Sequence, residues 1–104
     1  MQPVDLHLAD GIAVLPGAGP VAADILVRDG RIAAVVEPGT EVAATTRVDC
    51  RGRHILPGVV DAHVHLGADI TVPKRPEDVA AETQAAAAGG VTTLLAYLMT
   101  AEPY

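Results

Sequence analysis

The stretch Gly58-Val59-Val60-Asp61-Ala62-His63-Val64-His65-Leu66 decides the fold class, read together with Pro76 to Ala88, Gly89-Gly90 and Val91 to Tyr97 that follow a loop containing Pro73. Its first part, bounded by Pro57 and Gly67, is too short and too rich in β-branched residues for a helix and reads as a strand. Pro76 stands at a first helical position, Glu77 and Asp78 occupy the first turn where the helix dipole favours acids, and an Ala-rich body follows. Gly89-Gly90 stops that helix, and Val91-Thr92-Thr93-Leu94-Leu95-Ala96-Tyr97 reads as a buried strand. Val79, Thr83 and Ala86 or Ala87 recur at helical spacing, with Glu82 and Gln84 off that stripe, so a small face can sit close against a sheet. Strand, helix, strand in this order is a βαβ unit with parallel strands, which makes the chain α/β.

Upstream the period is that of strands. Val4 to Leu8 alternates apolar and polar residues before Asp10-Gly11, Ile12 to Leu15 follows, and Pro16-Gly17-Ala18-Gly19-Pro20 reads as a loop, which together predict a hairpin. The clearest local signal is Asp29-Gly30 between Asp24 to Arg28 and Arg31 to Val36, because Asp-Gly supplies the positive φ angles of a type I′ turn. After Pro38-Gly39 a short strand is expected around Arg47 to Cys50, leading through Arg51-Gly52-Arg53 into His54-Ile55-Leu56. Residues 1–57 therefore form a β subdomain, and residues 58–104 begin a second architecture. A lone βαβ unit leaves parallel strands with open edges and uncovered faces. Because the chain also stops just after a strand, an N-terminal fragment of something larger is expected.

The 104 residues carry 7 basic and 13 acidic side chains, a net charge of −6, which removes the electrostatic footprint of a nucleic-acid or anionic-membrane binder. Small molecules are the expected partners. With no Phe, no Trp and two Tyr, the core must be built from Val, Ile, Leu and Ala. Cys50 is the single cysteine, so no internal disulfide forms, and the absence of a signal pattern or a long apolar run points to the cytoplasm.

His63 and His65 are two apart on a strand, so their side chains leave the same face about 7 Å apart at the backbone, within reach of one metal ion. Neutral imidazole suits zinc and similar cations, and sites in parallel α/β folds collect at the carboxyl ends of strands. The plainer reading is two polar residues on a half-exposed strand face. Asp61 shares that face and fits an orienting hydrogen-bond role better than direct ligation. His54 and His7 read as packed or edge histidines, Cys50 as a buried small hydrophobe, and Gly89-Gly90 as a helix stop whose spacing is wrong for a phosphate loop.

Leu56-Pro57-Gly58-Val59-Val60-Asp61-Ala62-His63-Val64-His65-Leu66, preceded by Asp29-Gly30-Arg31-Ile32 and followed by Ala87-Ala88-Gly89-Gly90-Val91-Thr92-Thr93, resembles the start of the amidohydrolase superfamily. Within it the cyclic amidohydrolases (hydantoinase or dihydropyrimidinase, dihydroorotase, allantoinase) are the nearest pattern. The resemblance spans nearly the whole chain. It implies an N-terminal part of a composite β-sandwich followed by the first βαβ unit of an incomplete (β/α)₈ TIM-type barrel. It also implies that His63 and His65 are first-strand ligands of zinc or another divalent metal, two ions per complete site. The implied reaction is hydrolysis of a cyclic amide or imide C–N bond. The carbamylated lysine, two further histidines and the aspartate that serves as general base are expected beyond residue 104, so the 104-residue chain alone is read as inactive.

Where family members carry a bridging lysine on a later strand, Lys74 falls in the loop after the first strand and reads as a solvated loop lysine. Dihydroorotases follow the second histidine with Leu-Arg and place an Asn after the second strand, both for the substrate carboxylate. The corresponding positions here are Gly67 and Met99, neither of which binds a carboxylate through its side chain. Allantoinases often have Asn and hydantoinases often Asp at the first of these, so no subfamily matches cleanly. Tyr97 is mildly hydantoinase-like, and a neutral cyclic amide or imide is the favoured substrate over a dihydroorotate. Two other readings stay open: a non-catalytic scaffold that keeps the barrel, and an inactive truncated product. A homo-oligomer is compatible with the resemblance.

Overall fold

Asp29 and Gly30 both adopt positive φ angles, 51° and 68°, in the computed structural model, which describes residues 2–67 and 75–97. That is the backbone a two-residue I′ turn demands, and it joins β2 (Gly19–Arg28) to β3 (Arg31–Val36) with Arg28 paired to Arg31. The Asp5 carboxylate accepts a hydrogen bond from the Asp29 amide at 2.7 Å, tying the turn to β1 (Val4–Leu15).

The chain divides into two compact units, Met1–Pro57 and Gly58–Tyr104. In the first, the strand order is β3-β2-β1-β4, with β4 (Ala44–Asp49) and the short β5 (His54–Ile55) both parallel to β1. The Asp10-Gly11 pair was expected to end a strand; instead β1 runs through it. Asp10 takes a positive φ of 61° and the register to β2 shifts between Leu8 and Gly11, so the dipeptide makes a β-bulge rather than a hairpin turn. An Asp tolerates this left-handed backbone where a bulkier residue would not. The bulge marks a change of partner: β4 pairs with Val4 to Ala9, and β5 with Ile12 and Ala13.

The hairpin between β1 and β2 turns at Pro16-Gly17-Ala18, shorter than the expected five-residue loop, because Gly19 and Pro20 already pair with Leu15 and Val14. Pro at the very start of a strand costs little, since few ladder bonds are lost there. Small side chains fill the core as the composition requires: Ala13, Ala23 and Ile25 pack with Leu8, Leu15, Val21, Val27 and Ile55. On the other face of β2, Leu26 is fully buried beside His7 and Asp24.

The second unit contains β6 (Val59–Val64), α1 (Pro76–Ala88) and β7 (Val91–Ala96), with β6 and β7 parallel. The helix starts where Pro76 at its first position and the Asp78 carboxylate, accepting the Arg75 amide at 3.3 Å, satisfy the exposed amino end. It ends as the Gly89 and Gly90 amides close back on Ala86 and Ala87, and Gly90 at φ 90° turns the chain into β7. No described residue of α1 is fully buried, and Val79 on the expected small stripe stays exposed. No helix among the described residues is long and apolar enough to cross a membrane.

Candidate metal centre

The carboxyl ends of β6 and β7 bring three rings together. His63 is the penultimate residue of β6, His65 follows its last residue, and Tyr97 follows the last residue of β7. The Tyr97 amide donates to the Val64 carbonyl at 2.9 Å, extending the parallel pairing one step past the end of the strand.

His63 and His65 point to one side, as a strand period of two requires, and their Nε2 atoms converge to 3.2 Å. Two imidazole nitrogens on one tetrahedral zinc, each at about 2.0–2.1 Å, are about 3.3 Å apart. The observed separation is thus already that of a shared ligand edge. The rings are steeply inclined, 68° with centroids 5.1 Å apart, so the two in-plane lone pairs can meet at a point without the ring faces clashing. His65 also carries a buried Nδ1 with no hydrogen-bond partner among the described residues. A metal-bound histidine usually donates this second nitrogen to a carboxylate or carbonyl, so the pair offers the right atom inward and leaves the other for a supporting group. Both features fit a divalent metal held through Nε2.

The Asp61 carboxylate accepts the His63 backbone amide at 3.0 Å. It therefore acts on the main chain below the ligand rather than on an imidazole. The β6–β7 register shifts between Asp61 and Val64, where the ladder is irregular, and the side chain supplies the bond for the His63 amide. Among the described residues no group of three His, Cys, Asp or Glu side chains is arranged to hold a metal, so the two histidines are a partial ligand set.

His54 is exposed on β5, and Cys50 is buried beside the start of the turn that precedes it. His7 is buried and hydrogen-bonded to Asp24. All three belong to the Met1–Pro57 unit, whereas His63 and His65 belong to the unit from Gly58 onward. Gly67, two residues after His65, adopts φ 91°, a left-handed backbone that suits glycine. Lys74 and Met99 lie outside the described residues. Tyr97, in sequence only a hint of substrate type, stacks on His63 with ring centroids 4.0 Å apart and planes 17° from parallel. The sequence carries no signal for it, because the contact depends on the register of β6 against β7.

No protein-family model matches the sequence. An L-hydantoinase of Paenarthrobacter aurescens is 38% identical over 85 residues, covering 82% of this chain and 18% of the relative. Other relatives carry the names D-hydantoinase, allantoinase and dihydroorotase. Among solved structures, the L-hydantoinase (dihydropyrimidinase) from Arthrobacter aurescens superposes with a TM-score of 0.71 at 35% identity, over 88% of this chain and 20% of that one. An N-acyl-D-glutamate deacylase from Bordetella bronchiseptica, complexed with zinc and a phosphonate inhibitor, superposes with a TM-score of 0.66 at 29% identity over 89% of this chain and 18% of its own. The chain thus spans about a fifth of the length of the relatives it matches.

Proposed function

We propose that this chain, whose sequence belongs with the cyclic amidohydrolases of the amidohydrolase superfamily, provides the first two metal ligands, His63 and His65, of a hydrolase that opens a cyclic amide or imide at its C–N bond. In this reading the Met1–Pro57 unit is the N-terminal part of a β-sandwich, and the unit from Gly58 onward is the first βαβ unit of a (β/α)₈ barrel. The observation that carries it is the 3.2 Å convergence of the two Nε2 atoms at the carboxyl end of a parallel strand.

A divalent ion such as zinc, bound there, supplies a Lewis acid for the scissile carbonyl and lowers the pKa of a water. The chain's own residues do the holding. His63 and His65 present neutral nitrogens, which grip a cation without cancelling its charge as carboxylates would. Asp61 fixes the backbone under His63, so that ligand moves with the strand and not with a loose loop. Gly67, two residues after His65, offers no cationic side chain, which leaves a substrate carboxylate without a partner at that position and favours a neutral ring of hydantoinase or dihydropyrimidinase type over a dihydroorotate. The complete protein is expected to work in the cytoplasm on small molecules, with further ligands and a general base contributed by other parts of the polypeptide.

The test is metal analysis and turnover of hydantoin, dihydropyrimidine and allantoin by the complete protein. The wild type should hold a divalent metal and hydrolyse at least one ring, and His63→Ala or His65→Ala should lose both. Full activity with either histidine removed would reject the assignment.

A further inference from the structure

We infer that Tyr97 is a positioning residue for His63: its ring fixes the plane in which the imidazole presents Nε2 to a metal. The inference rests on the metal-binding reading above and extends it to a residue outside the histidine pair.

The terminal torsion of a histidine side chain is broad and roughly two-fold, so a ligand imidazole needs a neighbour to choose its plane. A hydrogen bond to the second ring nitrogen is the usual device. Here a flat aromatic ring lies against the imidazole face, with centroids 4.0 Å apart and planes within 17°. The ring of His65 is farther from Tyr97, at 6.1 Å and 51°, so the contact singles out His63. Stacking engages the face of the imidazole, whereas a metal bonds to the nitrogen lone pair in the plane of the ring; one ring can do both at once. The tyrosine is itself anchored, because its amide is bonded to the carbonyl of Val64, the residue between the two histidines. The strand pairing that aligns β6 with β7 therefore also aligns the stacking ring with the ligand.

The experiment compares zinc affinity of the complete protein and its Tyr97→Phe, Tyr97→Leu and Tyr97→Ala variants, by competition with a chromophoric chelator, alongside thermal unfolding of the metal-free forms. Supporting groups around metal ligands contribute about 10–100-fold in affinity, and a loss of about tenfold is expected for Tyr97→Ala and Tyr97→Leu. Tyr97→Phe keeps the flat face and should retain wild-type affinity. Equal affinity in Tyr97→Leu and the wild type would show that bulk alone suffices and would overturn the inference while leaving the metal site standing. Loss in Tyr97→Phe equal to that in Tyr97→Ala would overturn it too, since the hydroxyl and not the ring face would then matter. A wild-type protein that takes up no zinc or other divalent metal would instead reject the metal-binding reading itself.

Discussion

Nε2 of His7 and Oδ2 of Asp24 lie 2.8 Å apart across β1 and β2, with side chains only 3% and 0% exposed. The same carboxylate accepts the Asp10 amide through Oδ1 at 2.7 Å, at the bulge where β1 exchanges β4 for β5 as its neighbour. One buried acid thus secures both a cross-strand pair and an irregular stretch of backbone. Asp24→Ala leaves a buried imidazole and a part-buried amide without their acceptor and should cost about 3 kcal/mol in urea unfolding. Asp24→Asn keeps one acceptor and should cost less. A change within about 0.5 kcal/mol for the alanine variant, the range of ordinary surface substitutions, would show that water replaces the carboxylate there.

Asp49 and Arg51 form a different kind of pair, exposed at the end of β4. The guanidinium donates to both carboxylate oxygens, and Arg51 also donates its backbone amide to Oδ1 at 3.0 Å. The side-chain hydrogen bond from Arg51, then the backbone one, holds the Asp49 carboxyl well below the usual carboxylate range. Because the folded-state value is depressed, whatever the pair adds to stability is present above the unfolded value near about 3.9 and disappears as pH falls through the lowered one. Arg51→Ala should return the Asp49 titration, followed by carboxyl carbon NMR, toward that ordinary value. An unchanged titration would show that the exposed guanidinium does not occupy this position in solution.

The two histidines of the candidate centre and the exposed His54 outside it make a selective test. His63→Ala and His65→Ala remove one end each of a 3.2 Å nitrogen pair and should abolish stoichiometric zinc in the complete protein. His54→Ala removes an exposed ring on β5 and should leave zinc content unchanged. Elemental analysis after gel filtration reads both. Equal loss in all three variants would point to unfolding or to adventitious surface binding.

What the sequence made legible follows from how local each signal is. The Asp29-Gly30 turn, the Pro76 start and the Gly89-Gly90 stop are set by backbone rules acting within a few residues, and each lies where those rules place it. Asp10-Gly11 carries the same dipeptide as the true turn yet forms a bulge, because β1 continues on the far side with partners in β2 and β5. That outcome depends on strands distant in sequence. The His63–His65 pair was legible because a strand period of two is enough to put both rings on one side. The Tyr97 stack was not, since it needs the relative register of β6 and β7, and Asp61 was legible as a support but not as one acting through the main chain.

That register has its own steric lock at Gly58, just before β6. A Cβ added there would overlap the Thr92 side chain on β7, meeting its Cγ2 at 2.6 Å and its Cβ at 2.8 Å. Real Cβ atoms do not approach so closely, so Gly58→Ala must push the two strands apart or rotate Thr92. Because Val59 pairs with Val91 directly beyond this contact, the strain would fall on the start of the ladder that carries His63 and Tyr97 at its other end. Overpacking of this kind costs about 1–3 kcal/mol. Thr92→Ala removes Oγ1 and Cγ2 but leaves the Cβ, so the double variant should recover part of the loss and not all of it. A double-mutant cycle by chemical unfolding checks this directly, a favourable coupling between the two substitutions being the expected sign. Additive effects would mean that the strands part freely at Gly58, and that the alignment of the histidines with Tyr97 is maintained without the close approach at this end.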